Sequence, residues 1–219
     1  MIEAVLFDLD GTLADTAPDL GSALNRLRAE LGLTPLPLAL LRPATSQGAR
    51  GLLRIGLDIQ ADDASYPELQ QRFLAHYESA LCVDTILFPG IEEVLAELEA
   101  NHIPWGIVTN KVAHLTLPLL ACLNLDRRAS CIVSGDSATR PKPAPDPLLL
   151  AAALIACEPN HCLYIGDDLR DIQAGLAAGM CTVAARYGYL GSPTPPELWQ
   201  ADHLIDHPRE IAELWRDTC

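Results

Sequence analysis

The most constraining feature of the sequence is an apolar run near the N-terminus that ends in two acids. Residues 4–7 are all apolar, and Asp8, Leu9 and Asp10 follow before an expected turn at Gly11. An unbroken apolar run indicates a central strand of a parallel sheet that is covered on both faces. Open α/β sheets bind their ligands at the carboxyl ends of such strands. The pattern therefore predicts a functional site at this strand end.

Two carboxylates at the end of a buried strand need a physical reason, because buried charges are costly unless paired or bound to a metal ion. Asp8 and Asp10 are two residues apart and point to the same side of a strand. They can share one divalent cation, or they can act as a nucleophile and its acid/base partner. The alternative is a capped strand end with two solvated acids.

Charge and composition exclude several classes of protein. The chain of 219 residues has a net charge of −14, which argues against nucleic-acid partners and against binding to an anionic membrane. The longest apolar run, residues 148–157, is too short to span a bilayer. Because a strand pattern begins almost at once, we expect no signal peptide. The seven cysteines contain no CxxC pair, so we expect a reduced cytoplasmic protein with buried free thiols. We expect a monomer or homodimer.

The order of helical and strand patterns predicts two domains. Apolar runs at 105–109, 131–134, 162–165 and 181–184 alternate with helical patterns, which indicates a doubly wound, Rossmann-like parallel sheet. Between the first strand and this alternation lies a helical stretch far longer than an ordinary crossover. We therefore expect an α/β core formed by residues 1–15 and 85–219, with a helical cap domain, residues 16–84, inserted over the catalytic end.

Prolines and apolar runs give three more local expectations. Pro35, Pro37 and Pro43 are expected to break the chain between two cap helices, and Pro118 is expected to kink or break a helix over 112–125. The strongly apolar helix over 146–157 is expected to be buried on more than one side.

Three further strand ends or loops carry polar residues. Thr109 and Asn110 follow the second strand and can form an anion site at a helix N-terminus, although Thr109 could simply cap that helix. Lys142, held between prolines, can place a point charge on a phosphate, unless it is an ordinary exposed lysine. A further group of acids follows the fourth strand, and three acids there suit Mg²⁺ better than capping alone does: Asp167, Asp168 and Asp171.

These motifs, in this order, resemble those of the haloacid dehalogenase-like hydrolases, and the second acid of the first motif resembles the phosphatase branch. The resemblance implies that Asp8 attacks phosphorus to form an aspartyl-phosphate and that Asp10 is the acid/base. It also implies Mg²⁺ held by the Asp8 and Asp167 carboxylates and the Asp10 backbone carbonyl. Lys142, Thr109 and Asn110 would bind phosphate, and a supporting role is implied for Asp171, while the role of Asp168 is left open.

Two further motifs resemble the phosphoglycolate phosphatase group: Arg186-Tyr187-Gly188-Tyr189 and Asp206-His207-Pro208. Within that group, the combination of Gly48-Ala49-Arg50 with residues 167–172 resembles the N-acetylmuramic acid 6-phosphate phosphatases. The substrate implied is a small phosphorylated metabolite that also carries a carboxylate, and Arg50 is a candidate for binding that carboxylate. A solvent-facing arginine is the alternative for Arg50. A sugar-phosphate mutase and an inactive binding module are the alternatives for the whole chain.

Overall fold

A six-stranded parallel sheet lies at the centre of the computed structural model, which describes residues 1–217. The strands of the described chain are β1 Ala4–Phe7, β2 Ala14–Asp15, β3 Ile86–Leu87, β4 Trp105–Val108, β5 Cys131–Val133, β6 Cys162–Gly166, β7 Cys181–Ala185 and β8 His203–Ile205. Six of them form this sheet in the order β5-β4-β1-β6-β7-β8, so the strand predicted to be central lies between β4 and β6. A separate antiparallel pair is formed by β2 and β3.

Helices cover both faces of this sheet, as the alternating pattern predicts. The α-helices are α1 Ala17–Glu30, α2 Leu38–Thr45, α3 Gly48–Leu57, α4 Tyr66–Glu78, α5 Ile91–Ala100, α6 Ala113–Cys122, α7 Asp146–Leu154, α8 Leu169–Ala178 and α9 Ile211–Asp217. In β1, Val5 and Phe7 belong to a buried apolar cluster that includes residues of α5, α6 and α9. Ala4 and Leu6 belong to a second cluster, which includes residues of α7 and α8. The doubly wound α/β fold is therefore confirmed.

The first four helices occupy the stretch predicted to be a cap domain, which we call the cap segment, residues 16–84. Their apolar side chains form a third cluster, to which the core helix α6 contributes Leu115. The short β2–β3 pair joins the two chain connections at the base of this segment. The division into two domains remains a prediction, but it is this placement that puts cap residues opposite the strand ends.

Two local expectations were wrong, and a third stays a prediction in part. Pro43 lies within α2, and Pro118 does not break α6, because each is on an exposed face where one missing backbone hydrogen bond is tolerated. A kink at Pro118 stays a prediction. The helix α7 is buried on one side only, since Leu149 is 42% exposed and Leu154 is 57% exposed. Apolar composition alone did not reveal that one face of α7 contacts solvent.

The cysteines differ in part from the expected free thiols. Cys82, just after α4, and Cys122, at the end of α6, form a disulfide that joins the cap segment to the core. The other cysteines of residues 1–217 are free thiols, and Cys219 lies outside the described residues. None of the helices in this part of the chain is long and apolar enough to cross a bilayer.

Candidate active site

Three neighbouring strands bring the predicted site residues together. Asp8 follows β1, Thr109 follows β4 and Asp167 follows β6, and these strands are adjacent in the sheet. The ends of parallel strands meet at one edge, so the side chains converge there. A cavity of about 310 Å³ lies between this edge and the cap segment. Its lining includes every predicted site residue: Asp8, Asp10, Arg50, Thr109, Asn110, Lys142, Asp167, Asp168 and Asp171.

Lys142 is the buried cation of the site. Its Nζ donates to Asp8 Oδ1 at 2.8 Å and to Asp171 Oδ1 at 2.6 Å. The Tyr164 hydroxyl and the Val108 carbonyl also accept from it, at 2.9 and 3.0 Å. Burial alone would lower the pKa of Lys142, but the two carboxylates outweigh burial and raise it. Lys142 is therefore a fixed positive charge, and the alternative of an exposed loop lysine does not hold.

Asp8 has an unusually high pKa for a carboxylic acid. Burial, reinforced by the charges of Asp171 and Asp10, outweighs the attraction of Lys142 and raises the pKa of Asp8 from 3.8 to about 7. One lysine serves two carboxylates, so it cannot fully compensate for the desolvation of Asp8. The protein thus holds the predicted nucleophile close to its titration point in the absence of a metal ion.

Asp167 is fixed by hydrogen bonds to both of its oxygens. The Thr12 hydroxyl donates to Oδ1 at 3.2 Å, and the Tyr189 backbone N–H donates to Oδ2 at 2.8 Å. Gly11, with φ of +91°, lets the chain pass so close that a Cβ there would lie 2.2 Å from Asp167 Oδ2. Burial and the charge of Asp8 raise the pKa of Asp167 well above its ordinary value.

The acids of this site fit a divalent cation. One carboxylate oxygen from each of Asp8, Asp167 and Asp171 lies within 4.8 Å of the other two, and all three residues are buried. A single lysine leaves this cluster with excess negative charge, which a cation would neutralise. The same excess contributes to the raised pKa values of Asp8 and Asp167. An all-oxygen set of this kind suits Mg²⁺, which retains waters and takes few carboxylates.

Asp168 and Asp171, at the start of α8, are engaged mainly in local structure. Asp171 Oδ2 accepts from the Asp168 N–H at 3.1 Å, and Asp168 Oδ1 accepts from the Arg170 N–H at 3.0 Å, which together cap α8. Asp168 also pairs with the Arg170 guanidinium at 2.9 Å. Asp171 thus holds Lys142 and caps α8, and Asp168 is the N-cap. The supporting role of Asp171 stays a prediction.

Asp10 is held through one oxygen, with its partners on both sides of the cavity. Its Oδ1 accepts from the Thr16 hydroxyl at 2.5 Å and lies 3.1 Å from Lys111 Nζ. Lys111 Nζ also donates to the hydroxyl of Tyr77, on cap helix α4, at 3.0 Å. Although burial disfavours the charged form of Lys111, Asp10 and Tyr77 raise its pKa. The other carboxylate oxygen of Asp10, Oδ2, is therefore free to exchange a proton with a ligand.

Thr109 and Asn110, which we call the second motif, differ in detail from the predicted anion site. The Thr109 N–H donates to Val133 O, and the Asn110 side chain clamps the Lys142 backbone through two hydrogen bonds of 3.0 Å. At the N-terminus of α6, the Ala113 N–H donates to Asp136 Oδ1 at 2.9 Å. The backbone N–H groups of Leu9, Asp10 and Asn110 form no hydrogen bond within residues 1–217. These groups and the Thr109 hydroxyl are what the site offers to an anion.

Arg50 is the cap residue predicted to bind a carboxylate. It lies in the first turn of α3 and lines the same cavity as Asp8 and Lys142. Its side chain forms no ion pair or hydrogen bond in the described part of the chain. The guanidinium is therefore available to a ligand. Arg50 is exposed as well as lining the cavity, so carboxylate binding and a solvent-facing arginine both stay open as interpretations.

Sequence reasoning missed four residues that shape the site: Thr12, Lys111, Tyr164 and Tyr189. Lys111 directly follows Thr109-Asn110, so its position beside the second motif was an available signal. The two tyrosines lay in a strand and in a loop, and nothing in their spacing showed that one holds Lys142 and the other fixes Asp167. Such contacts depend on the sheet bringing distant segments together.

Comparison with known proteins places this geometry in a family. The sequence profile of the haloacid dehalogenase-like hydrolases matches residues 5–185. An N-acetylmuramic acid 6-phosphate phosphatase of Pseudomonas aeruginosa is 40% identical over 213 residues, covering 97% of this chain and 94% of that protein. A phosphoglycolate phosphatase of Xanthomonas campestris pv. campestris is 44% identical over 213 residues, with coverage of 96% and 95%.

A solved structure agrees with these relatives. The crystal structure of a predicted phosphoglycolate phosphatase from Haemophilus somnus superimposes with a TM-score of 0.86 at 26% identity and covers 97% of each chain. The match extends over the core and the cap segment alike. The chain therefore belongs to the haloacid dehalogenase-like hydrolases and is an enzyme of their phosphatase branch.

Proposed function

We propose that this enzyme hydrolyses a small phosphomonoester through an aspartyl-phosphate on Asp8, with Mg²⁺ as its cofactor. The observation that carries the proposal is the buried Asp8 carboxylate, held 2.8 Å from Lys142 Nζ within a cluster of acids on the cavity wall. A carboxylate that is fixed in place beside a lysine is suited to attack phosphorus, and the proposed cation would keep it ionised.

In the first step, an Asp8 oxygen attacks phosphorus and the bond from phosphorus to the leaving oxygen breaks. Lys142 remains beside Asp8 and stabilises charge on the transferred group, together with the free N–H groups that follow Asp8. The proposed cation would offset the excess negative charge of the acids. Together with Lys142 and these N–H groups, it would let a chain with a net charge of −14 bind an anionic substrate.

Asp10 is the proposed acid and base. Its free oxygen donates a proton to the leaving alkoxide, then takes one from the water that attacks the aspartyl-phosphate and restores Asp8. Thr16 and Lys111 hold the other oxygen and so fix the direction of the carboxyl group. Both are positioning residues, because they act through Asp10.

The proposed Mg²⁺ would be held by the carboxylates of Asp8 and Asp167 and by the Asp10 backbone carbonyl. When bound, it supplies positive charge that keeps Asp8 ionised and neutralises the phosphoryl oxygens. Thr12 and the Tyr189 N–H orient Asp167 for this role. Asp171 is committed to Lys142, which leaves it a supporting residue.

The proposed substrate is a phosphorylated metabolite with a carboxylate, such as 2-phosphoglycolate or N-acetylmuramic acid 6-phosphate. Two of the relatives are named N-acetylmuramic acid 6-phosphate phosphatase and phosphoglycolate phosphatase. Arg50 faces the cavity without a partner and supports recognition of a second anionic group. We further propose a cytoplasmic enzyme that acts as a monomer or homodimer.

Steady-state hydrolysis of p-nitrophenyl phosphate tests the reaction. We expect release of inorganic phosphate with Mg²⁺, none with excess EDTA, and none from Asp8→Asn protein that remains folded. The matched control is Asp62→Asn, an exposed aspartate outside the cavity, which should behave as wild type. Substantial turnover by purified Asp8→Asn would contradict the proposal.

A further inference from the structure

A second cavity adjoins the first on the side of the cap segment. Its volume is about 360 Å³, and four of its lining residues also line the catalytic cavity: Gln47, Arg50, Asp168 and Arg170. Small-molecule sites usually occupy ~300–1,000 Å³, so the first cavity alone is large enough for a two-carbon acid phosphate. The second cavity provides space that such a compound does not use.

The second cavity extends along α3 from Arg50 to Arg54. Arg50 and Arg54 lie one turn apart on α3, which separates them by about 6 Å along the helix axis. Arg50 lines both cavities, whereas Arg54 lines only the second. Since Asp8 lines only the first, the order across the site is nucleophile, then Arg50, then Arg54.

The second cavity carries uncompensated positive charge. Arg50 and Arg54 form no ion pair or hydrogen bond through their side chains within residues 1–217. Among the described residues, the only acid in its lining is Asp168, which is already paired with Arg170. The Nη2 of Arg170 also donates to Ser46 O at 2.5 Å. Two free guanidinium groups beside a cavity, in so acidic a chain, fit a carboxylate ligand.

The wall opposite α3 is formed by the core. Gly191 packs closely against the cap, since a Cβ on it would lie 2.6 Å from Ser46 Cβ, and Gln47 Nε2 donates to Gly191 O at 3.1 Å. Ser192 and Pro193 continue this wall. The space beside Arg54 is thus bounded by both cap and core, as a substrate subsite is.

We propose that the second cavity binds the carboxylate-bearing half of a sugar-sized phosphomonoester, with Arg54 as its ion-pair partner. The inference rests on the proposed phosphatase function and narrows the proposed substrate to a sugar-sized compound. The carboxylate of a two-carbon acid lies close to the phosphate and would stop near Arg50. A phosphorylated sugar that carries a carboxylate on the far side of its ring spans from Asp8 to Arg54.

The test compares two sugar phosphates that differ only in the carboxylate-bearing group. N-acetylmuramic acid 6-phosphate has a lactyl ether that N-acetylglucosamine 6-phosphate lacks. We expect wild-type kcat/KM to favour the lactyl compound, and we expect Arg54→Gln to reduce this preference about 10- to 100-fold, mainly through KM, as loss of a charged hydrogen bond predicts. Arg54→Lys should restore part of the preference.

The matched control is Arg127→Gln, which removes another exposed arginine without a side-chain partner in the described residues, outside both cavities. Its preference should equal that of wild type. An Arg54→Gln enzyme that keeps the wild-type preference would overturn the subsite, as would an equal loss in Arg127→Gln.

A binding measurement separates this inference from the proposed function. Calorimetry with Asp8→Asn protein reports affinity for both sugar phosphates without turnover, and the effect of Arg54→Gln can be measured in that background. Affinity that depends on Arg54 in a protein whose wild type has no phosphatase activity would refute the reaction and keep the subsite. Turnover with no effect of Arg54 in either measurement would refute the subsite alone.

Discussion

Replacing Asp8 with asparagine should stabilise the metal-free protein at alkaline pH. The pKa of Asp8 rises from 3.8 to about 7 in the folded state, mainly because of burial. A folded-state pKa above the unfolded value means that the stability present at low pH is lost as the pH rises through this interval. The near-isosteric amide of Asp8→Asn cannot ionise, so it removes that loss.

The magnitude follows from the size of the shift. One pKa unit corresponds to about 1.4 kcal/mol, so ionisation of Asp8 costs the folded state on the order of 2–4 kcal/mol, the lower figure allowing for relaxation around the charge. For a protein of this size, each kcal/mol shifts Tm by roughly 2–4 °C. We therefore expect Asp8→Asn to melt about 5–10 °C above wild type at pH 8 in EDTA.

Thermal melts in EDTA at pH 8 and at pH 5 measure this effect. The difference in Tm between Asp8→Asn and wild type should shrink at pH 5, where the wild-type carboxyl is largely protonated. Lys142 keeps Asp171 as a partner in the variant, so it is not left unpaired. Asp62→Asn serves as the control with an unchanged Tm. A variant that melts at or below the wild-type temperature at pH 8 would refute the reasoning.

The remaining predictions concern the metal ion, the cap and the disulfide. Asp167→Ala should shift the Mg²⁺ activation curve to higher concentration, and full activity of metal-free wild type would contradict the site. Arg50→Ala should raise KM for 2-phosphoglycolate by a factor equivalent to ~1.5–3 kcal/mol and more than for p-nitrophenyl phosphate, which lacks a carboxylate; equal losses would indicate a structural role. Reduction of the Cys82–Cys122 disulfide should lower Tm, because the bridge closes a loop with a sequence separation of 40 and contributes up to about 4 kcal/mol; a Cys82→Ser protein whose Tm equals that of the oxidised wild type would contradict this.

The parts of the fold and site that depend on single strands could be predicted from the sequence. Apolar runs followed by acids predicted that Asp8 and Asp167 lie at strand ends. Ligands bind at the carboxyl ends of parallel strands, so recognising the strands was enough to place both acids at the ligand-binding edge. Proline and apolar content gave wrong expectations for α2 and α7, because helix position and exposure on one face override local propensity.

Contacts between distant segments could not be predicted. The link from Asp10 through Lys111 to Tyr77 joins the first motif, the residue that follows the second motif and a cap helix, and only the packed fold shows it. The pairing of Asn110 with the Lys142 backbone is of the same kind. The second cavity likewise exists only because cap and core enclose it.

Trapping the phosphorylated enzyme tests the central claim most directly. Asp10→Asn should be phosphorylated by p-nitrophenyl phosphate, whose leaving group needs no acid, but it lacks the base that would release phosphate. With Mg²⁺ present, we predict a burst of about one p-nitrophenolate per enzyme. Borohydride reduction followed by peptide mass spectrometry should then show homoserine at position 8. Sustained phosphate release by wild type, with homoserine absent at position 8 or present at another aspartate in Asp10→Asn, would contradict Asp8 as the nucleophile.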